Sequence, residues 1–181
     1  MLDKKNIQKK FEQSLTTYNE NALVQKQMAN KLVSIINRKK FDKILEIGSY
    51  TGILTKKIVD NFEFKNYCAL DIVDSGEFVK KIDSRIRFIK QDVEEYKTDQ
   101  KFDLIISNAA LQWCNDFKKT IFNLYSYLNN NSLLIVSTFS CDNLIEIKNT
   151  FNLSLDYPGI EEIKEIFPRS QIIEEKMTLE F

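Results

Sequence analysis

The chain has 181 residues, of which 43% are apolar, with 26 basic and 26 acidic side chains and no histidine. This profile predicts one globular domain without a net-charge signal for nucleic acid, and it excludes histidine-dependent triads and histidine-ligated metals. The N-terminal sequence lacks an apolar leader, and no apolar run approaches the roughly 20 residues that span a bilayer, so a cytoplasmic protein without a membrane partner is expected.

Basic residues crowd the first 40 positions (Lys4, Lys5, Lys9, Lys10, Lys26, Lys31, Arg38, Lys39, Lys40), while Glu161, Glu162, Glu165, Glu174, Glu175 and Glu180 mark the C-terminal end. Such asymmetry suits either a solvated helix face or a surface for an acidic partner. Val24, Met28, Leu32 and Ile35 have the spacing of an amphipathic helix ending near Arg38 to Lys40. Next come a strand over Ile44 to Ile47 and a helix with Leu54, Ile58 and Phe62 on one face. Tyr67 to Ile72 reads as strand, Gly76 to Ile82 as a short helix, Ile86 to Lys90 as strand and Phe102 to Ser107 as the most apolar strand. A helix carrying Phe117, Ile121, Leu124 and Leu128 follows, with Asn129-Asn-Asn131 as its turn and Leu133 to Phe139 as the next strand. Leu144 to Phe151, Ile160 to Phe167 and Ile172 to Leu179 read as helix, helix and strand. Alternating strands and helices predict an α/β fold with a parallel sheet covered on both faces. Cys68, Cys114 and Cys141 are odd in number and far apart, suggesting neither a disulfide framework nor a zinc site.

The segment Lys43-Ile-Leu-Glu-Ile-Gly-Ser-Tyr-Thr-Gly52 carries the chemistry: a buried strand, an acidic residue, a glycine turn and then a helix. A dinucleotide-binding G-x-G-x-x-G from Gly48 fails at Tyr50 and Ile53. The E/D-x-G-x-G-x-G turn of methyltransferases is met by Glu46, Gly48 and Gly52 and fails only at Tyr50. Glycine there lets the backbone approach a ligand without an intervening Cβ. Asp71, about 20 residues on, suits the two hydroxyls of a ribose or, equally, a helix N-cap. Asp92 follows the third strand in Ile89-Lys-Gln-Asp-Val93, placed for an adenine amino group with Val93 on the ring, or for a plain turn. All fall at strand carboxyl ends, the edge where ligands bind.

With these residues the chain resembles the class I S-adenosylmethionine-dependent methyltransferases, with their Rossmann-like sheet, and among them the malonyl-acyl carrier protein O-methyltransferases of biotin synthesis. The narrower likeness rests on Tyr18-Asn-Glu-Asn-Ala22-Leu-Val-Gln25, similar to an N-terminal helix that folds over the cofactor, and on Ser107-Asn108-Ala-Ala-Leu-Gln112-Trp113, a fourth-strand motif. Ser137-Thr-Phe139 also follows the family pattern. The resemblance implies one domain, residues 1–40 as a helical lid and 41–181 as core. It assigns S-adenosylmethionine to Tyr18, Gln25, Glu46, Gly48, Ser49, Tyr50, Gly52, Asp71, Ile72, Asp92, Val93 and Asn108. The acceptor falls to Tyr18, Gln112 and Trp113, with acyl carrier protein or a coenzyme A thioester as partner and a monomer expected. Methyl transfer to a malonyl carboxylate, already ionised at neutral pH, needs no general base and no catalytic side chain in that sense.

Two departures stand out. Tyr50 fills the middle glycine position, so its side chain points away from the cofactor, stacks on it or hinders it. The chain also stops soon after its sixth predicted strand, short of the family's further helix and seventh strand. Two other classes stay open: a methyltransferase with another acceptor, and a non-catalytic binding or assembly protein on this fold.

Overall fold

A computed structural model describes residues 2–140, 143, 157–168 and 170–175. These fall into two compact units, Met1–Thr138 and Phe139–Phe181.

In the first unit α1 (Lys4–Ser14), α2 (Tyr18–Asn21) and α3 (Leu23–Ser34) precede β1 (Lys40–Ile47), α4 (Ile53–Asn61), β2 (Glu63–Asp71), α5 (Gly76–Ile82) and β3 (Arg87–Lys90). Then come β4 (Phe102–Asn108), a 3-10 turn (Leu111–Trp113), α6 (Phe117–Ser126) and β5 (Leu128–Ser137). The five strands are all parallel in the order β3-β2-β1-β4-β5. The order reverses direction at β1, so the crevice beyond the carboxyl ends of β1 and β4 is the switch point of the sheet.

The alternation of side chains explains the layers. On one face Ile44, Tyr67, Ala69, Leu104 and Ile106 meet Ala29, Leu32 and Val33 of α3, Leu54 and Ile58 of α4 and Val79 of α5 in one buried cluster. On the other face Leu45, Ile47, Leu70 and Ile105 are buried, and α6 turns Thr120, Ile121 and Leu124 inward. Asp116 caps α6 by accepting the Lys119 backbone N–H at 2.9 Å.

Three sequence readings change. The buried face of α3 is Ala29, Leu32, Val33 and then Ile36, not the Val24–Met28–Leu32–Ile35 stripe; the helix ends at Ser34, which leaves Ile35 38% exposed. Consequently α3 belongs to the core layer, while α1 and α2 contain no fully buried residue. The Asn129–Asn131 tract lies inside β5: the register steps from Phe102↔Leu128 to Leu104↔Leu133, so the extra residues form a bulge, with Asn131 at φ +59°. Asparagine tolerates that left-handed conformation, and so the same residues that signal a turn serve a bulge.

In the second unit α7 (Ile160–Ile166) forms as the spacing predicts, and the Phe139 and Tyr157 rings meet edge to face at 6.0 Å. Ile172 to Glu175 is irregular rather than strand; the rest of that predicted strand, the Leu144 to Phe151 helix and Cys141 lie outside the described residues. Cys68 and Cys114 are free thiols, and no group of metal-ligating side chains is present among the described residues. None of the described helices is long and apolar enough to cross a membrane.

Candidate functional site

A cavity opens at the switch point. Gly48 to Thr51, Asp71 to Val73, Asp92 and Val93, and Asn108 to Leu111 line it from the strand ends; Lys4, Ile7, Phe11, Tyr18 and Gln25 line it from the N-terminal helices, and Trp113 and Cys114 close the remainder.

The turn after β1 is built around positive φ angles at Gly48 (+73°), Tyr50 (+40°) and Gly52 (+85°). A Cβ on Gly48 would lie 2.2 Å from the Ala110 Cβ, and one on Gly52 would lie 2.3 Å from the Ile82 Cδ1. Glycine at these two positions therefore lets the β4 loop and α5 close onto the turn. The backbone N–H of Gly48 donates to the Leu70 carbonyl at 2.8 Å, tying the turn to the end of β2.

Asp71 sits at that end, 6% exposed, and its two oxygens accept from the backbone N–H groups of Tyr50 and Val73, each at 2.8 Å. Burial pushes its carboxyl up to about 6, while the backbone N–H groups of Val73, Tyr50 and Ile72 pull the other way. Ile72 and Val73 line the cavity beside it.

Asp92 is not free. Lys4 of α1 reaches its carboxylate at 3.1 Å and that of Glu94 at 2.8 Å. Glu94 also accepts from the backbone N–H groups of Asn115 and Asp116, at 3.0 and 2.9 Å, which joins α1 to the segment before α6. Burial works against the charge on Glu94, but Lys4 and those N–H groups outweigh it and hold the carboxyl below its usual value.

Asn108 ends β4 as a tie. Its amide donates to the Gln25 carbonyl at 2.9 Å and its side-chain oxygen accepts from the Ser137 hydroxyl at 2.8 Å. Gln25 thus meets the site through its backbone.

Four aromatic residues crowd the lid side. Tyr50 and Tyr18 meet edge to face at 4.7 Å, Tyr50 and Phe11 at 5.3 Å, and Phe11 and Trp113 at 5.6 Å. Burial pushes the Tyr18 phenol up to about 12, with the charges of Tyr50 and Asp71 adding to it.

Three residues assigned from sequence lie outside the cavity wall: Glu46, Gln112 and Gly52, whose missing Cβ faces Ile82 of α5. Glu46 is fully buried beneath α4, where it accepts from Thr55 Oγ1 at 2.7 Å and Tyr67 Oη at 2.5 Å. It lies outside the cavity wall because alternation turns it to the same sheet face as Ile44. Gln112 is buried in the 3-10 turn, its amide donating to the Ala109 carbonyl at 2.7 Å, and it too lies outside the wall. Sequence reading missed Lys4, Ile7 and Phe11; their i, i+3, i+7 spacing in an otherwise polar helix was the available signal.

The methyltransferase domain family model matches residues 20–172. A malonyl-[acyl-carrier protein] O-methyltransferase 2 of Ilyobacter polytropus is 34% identical over 180 residues, covering 92% of this chain and 69% of the relative. A malonyl-[acyl-carrier protein] O-methyltransferase of Calditerrivibrio nitroreducens is 36% identical, covering 93% of this chain and 67% of the relative. Among solved structures, the N-methyltransferase NodS of Bradyrhizobium japonicum, in complex with S-adenosyl-L-homocysteine, superposes with a TM-score of 0.63 at 19% identity, over 72% of each chain. The order of the sheet, the glycine turn and these alignments together show that the chain belongs to the methyltransferase domain family.

Proposed function

We propose that the chain transfers the methyl group of S-adenosylmethionine to the free carboxylate of a malonyl thioester on acyl carrier protein or coenzyme A, an early step of biotin synthesis. The observation that carries the reading is the buried Asp71 carboxylate at the end of β2, beside a turn in which Gly48 and Gly52 take positive φ. The Asp71 oxygens accept the backbone N–H groups of Tyr50 and Val73, and a carboxylate has about four acceptor sites, so capacity remains for ribose hydroxyls. The Ser49 hydroxyl, buried on the same wall, has no hydrogen-bond partner among the described residues and suits a polar group of the cofactor. The residues present therefore fit the nucleoside and amino-acid portions of S-adenosylmethionine, with Val93 and Ile72 offering apolar contact to a base near Asp92. The cofactor would supply an electrophilic sulfonium methyl.

The chain's own part is binding and alignment. A malonyl carboxylate is ionised at neutral pH, so it arrives as a nucleophile and no side chain has to remove a proton. Phe11, Tyr18, Tyr50 and Trp113 form an apolar wall that limits water around it. Holding acceptor and donor in line supplies rate through effective molarity, worth several kcal/mol. The relatives' names support the malonyl acceptor, and a monomer acting in the cytoplasm, without nucleic acid or membrane, goes with this reading.

Titration calorimetry with S-adenosylmethionine and a methyl-transfer assay on malonyl-, acetyl- and succinyl-carrier protein test it. Binding heat and esterification of the malonyl form are expected. A folded protein that gives no heat overturns the methyltransferase reading; binding without ester formation overturns the acceptor.

A further inference from the structure

Tyr50 stands where the methyltransferase turn has a glycine, and its contacts give the substitution a purpose. The residue is 8% exposed, and its ring packs into the lid against Phe11 and Tyr18. The phenol donates to the Phe11 carbonyl at 2.6 Å and pairs with the Ser14 hydroxyl at 3.0 Å, both in the last turn of α1. The same ring meets Phe11 of α1 and Tyr18 of α2 edge to face. Its backbone N–H meanwhile donates to Asp71 Oδ2. One residue thus holds the lid with its side chain and the buried carboxylate with its main chain.

Besides Tyr50, the lid segment is held by the Phe11 ring against Trp113, by the Thr51 hydroxyl donating to Asn19 Oδ1 at 2.6 Å and by the Leu2 backbone N–H donating to Asn115 Oδ1 at 2.6 Å. No residue of α1 is fully buried, and four of its eleven residues are lysines. Its far end is fixed by Lys4 on Asp92 and Glu94. Polar contacts pin the helix near both ends, over the end of β2 by Tyr50 and over the end of β3 by Lys4. A glycine at position 50 would leave the ionic pin and the edge-to-face contact of Phe11 with Trp113.

We propose that Tyr50 is a positioning residue for the methyl-transfer reaction, a latch that keeps α1 closed over the cofactor and couples that closure to Asp71. The proposal rests on the reading of the cavity as an S-adenosylmethionine site. Replacing the family glycine with tyrosine then improves retention of the cofactor instead of obstructing it: the ring occupies the lid side of the cavity, and its left-handed φ of +40° is sustained by the contacts it makes.

Tyr50→Phe, Tyr50→Gly and Ser14→Ala separate the contributions. The primary readout is amide hydrogen exchange of residues 4–14 in the ligand-free protein, beside residues 40–47 as an internal control. Tyr50→Gly is expected to speed exchange in α1 about tenfold or more, Tyr50→Phe and Ser14→Ala by a smaller factor, with β1 unchanged. The second readout is dissociation of S-adenosylhomocysteine, expected about tenfold faster in Tyr50→Gly, with KM for S-adenosylmethionine rising more than kcat falls. Unchanged α1 exchange in both Tyr50 variants overturns the latch, and so does slower dissociation from Tyr50→Gly. Faster α1 exchange in variants of a protein whose wild type binds no S-adenosylhomocysteine overturns instead the reading of the site, and with it the cofactor role of the latch. Tyr50→Phe retains the ring and its packing, so it reports on the hydroxyl even if the glycine variant folds poorly.

Discussion

Glu46 invites a direct test, because its surroundings set the sign and size of a pH effect. Its carboxyl is fully buried; Oε2 takes two hydroxyl donors, and Oε1 has no hydrogen-bond partner among the described residues. Burial raises it from an ordinary 4.5 to about 7, against the two hydroxyl donors that favour the charge and with Asp71 adding to the rise. The folded protein therefore binds this proton more tightly than the unfolded chain does. The stability it contributes is complete below about pH 4.5 and is lost as pH rises through about 7. At about 1.4 kcal/mol per decade, the loss is on the order of 3 kcal/mol between these limits. Glu46→Gln keeps an oxygen for Thr55 and Tyr67 but cannot ionise, and its amide replaces the unpartnered Oε1, at a cost of about 1–3 kcal/mol. Urea unfolding of both proteins from pH 5 to 8.5 is expected to show the variant less stable at pH 5, with the gap closing or reversing by pH 8.5. Parallel profiles, with a constant difference across the range, would refute the reasoning, since the carboxyl would then titrate alike in the folded and unfolded chains.

Asp71, raised to about 6, should make cofactor binding pH-dependent: ribose hydroxyls favour the ionised form, so S-adenosylhomocysteine affinity should fall by up to about tenfold per unit below pH 6, with proton release on binding seen as buffer-dependent heat. A pH-independent affinity would remove Asp71 from the ribose. Gly48→Ala combines a left-handed φ with a Cβ 2.2 Å from that of Ala110, and should cost about 2–4 kcal/mol in urea unfolding. A loss below about 1 kcal/mol would mean that the β4 loop yields freely. Asn108→Asp sets a carboxylate against the Gln25 carbonyl and should destabilise by about 1–3 kcal/mol, whereas an unchanged midpoint would deny the tie between β4 and α3.

The sheet was legible because buried parallel strands are continuous apolar runs and their helices repeat every three to four residues. Boundaries were less so. β2 begins at Glu63, in polar sequence that periodicity assigns to no element, and the Asn129–Asn131 tract satisfies the local rules for a turn while backbone pairing with β4 draws it into a bulge. The α3 face was misread since Ala29 counts little as an apolar residue although it is wholly buried. On the cavity wall, Gly48 and Asp71 could be picked out from their residue types and order, whereas Gly52 lies beside the wall, against α5. Glu46 and Gln112 fit the motif equally well but face the interior, which depends on pleat and loop path rather than on spacing. Lys4 and Phe11 were hidden for the opposite reason: α1 reads as a solvated basic helix until Tyr50 and Asp92 are seen beneath it.

The hydrogen-bonded tie through Asn108 has a thermodynamic meaning for the cavity. Its side-chain nitrogen and oxygen are both committed, to Gln25 and Ser137, and Ser137 receives the Ala109 backbone N–H at its carbonyl, 3.1 Å away. The amide cannot swing toward an arriving molecule without giving up two bonds. That side of the cavity is thus set before any encounter, and the ordering entropy of its groups belongs to folding rather than to binding. A ligand meeting that side is therefore spared the entropy of ordering the Asn108 amide, and the cost of fixing it has been met before binding.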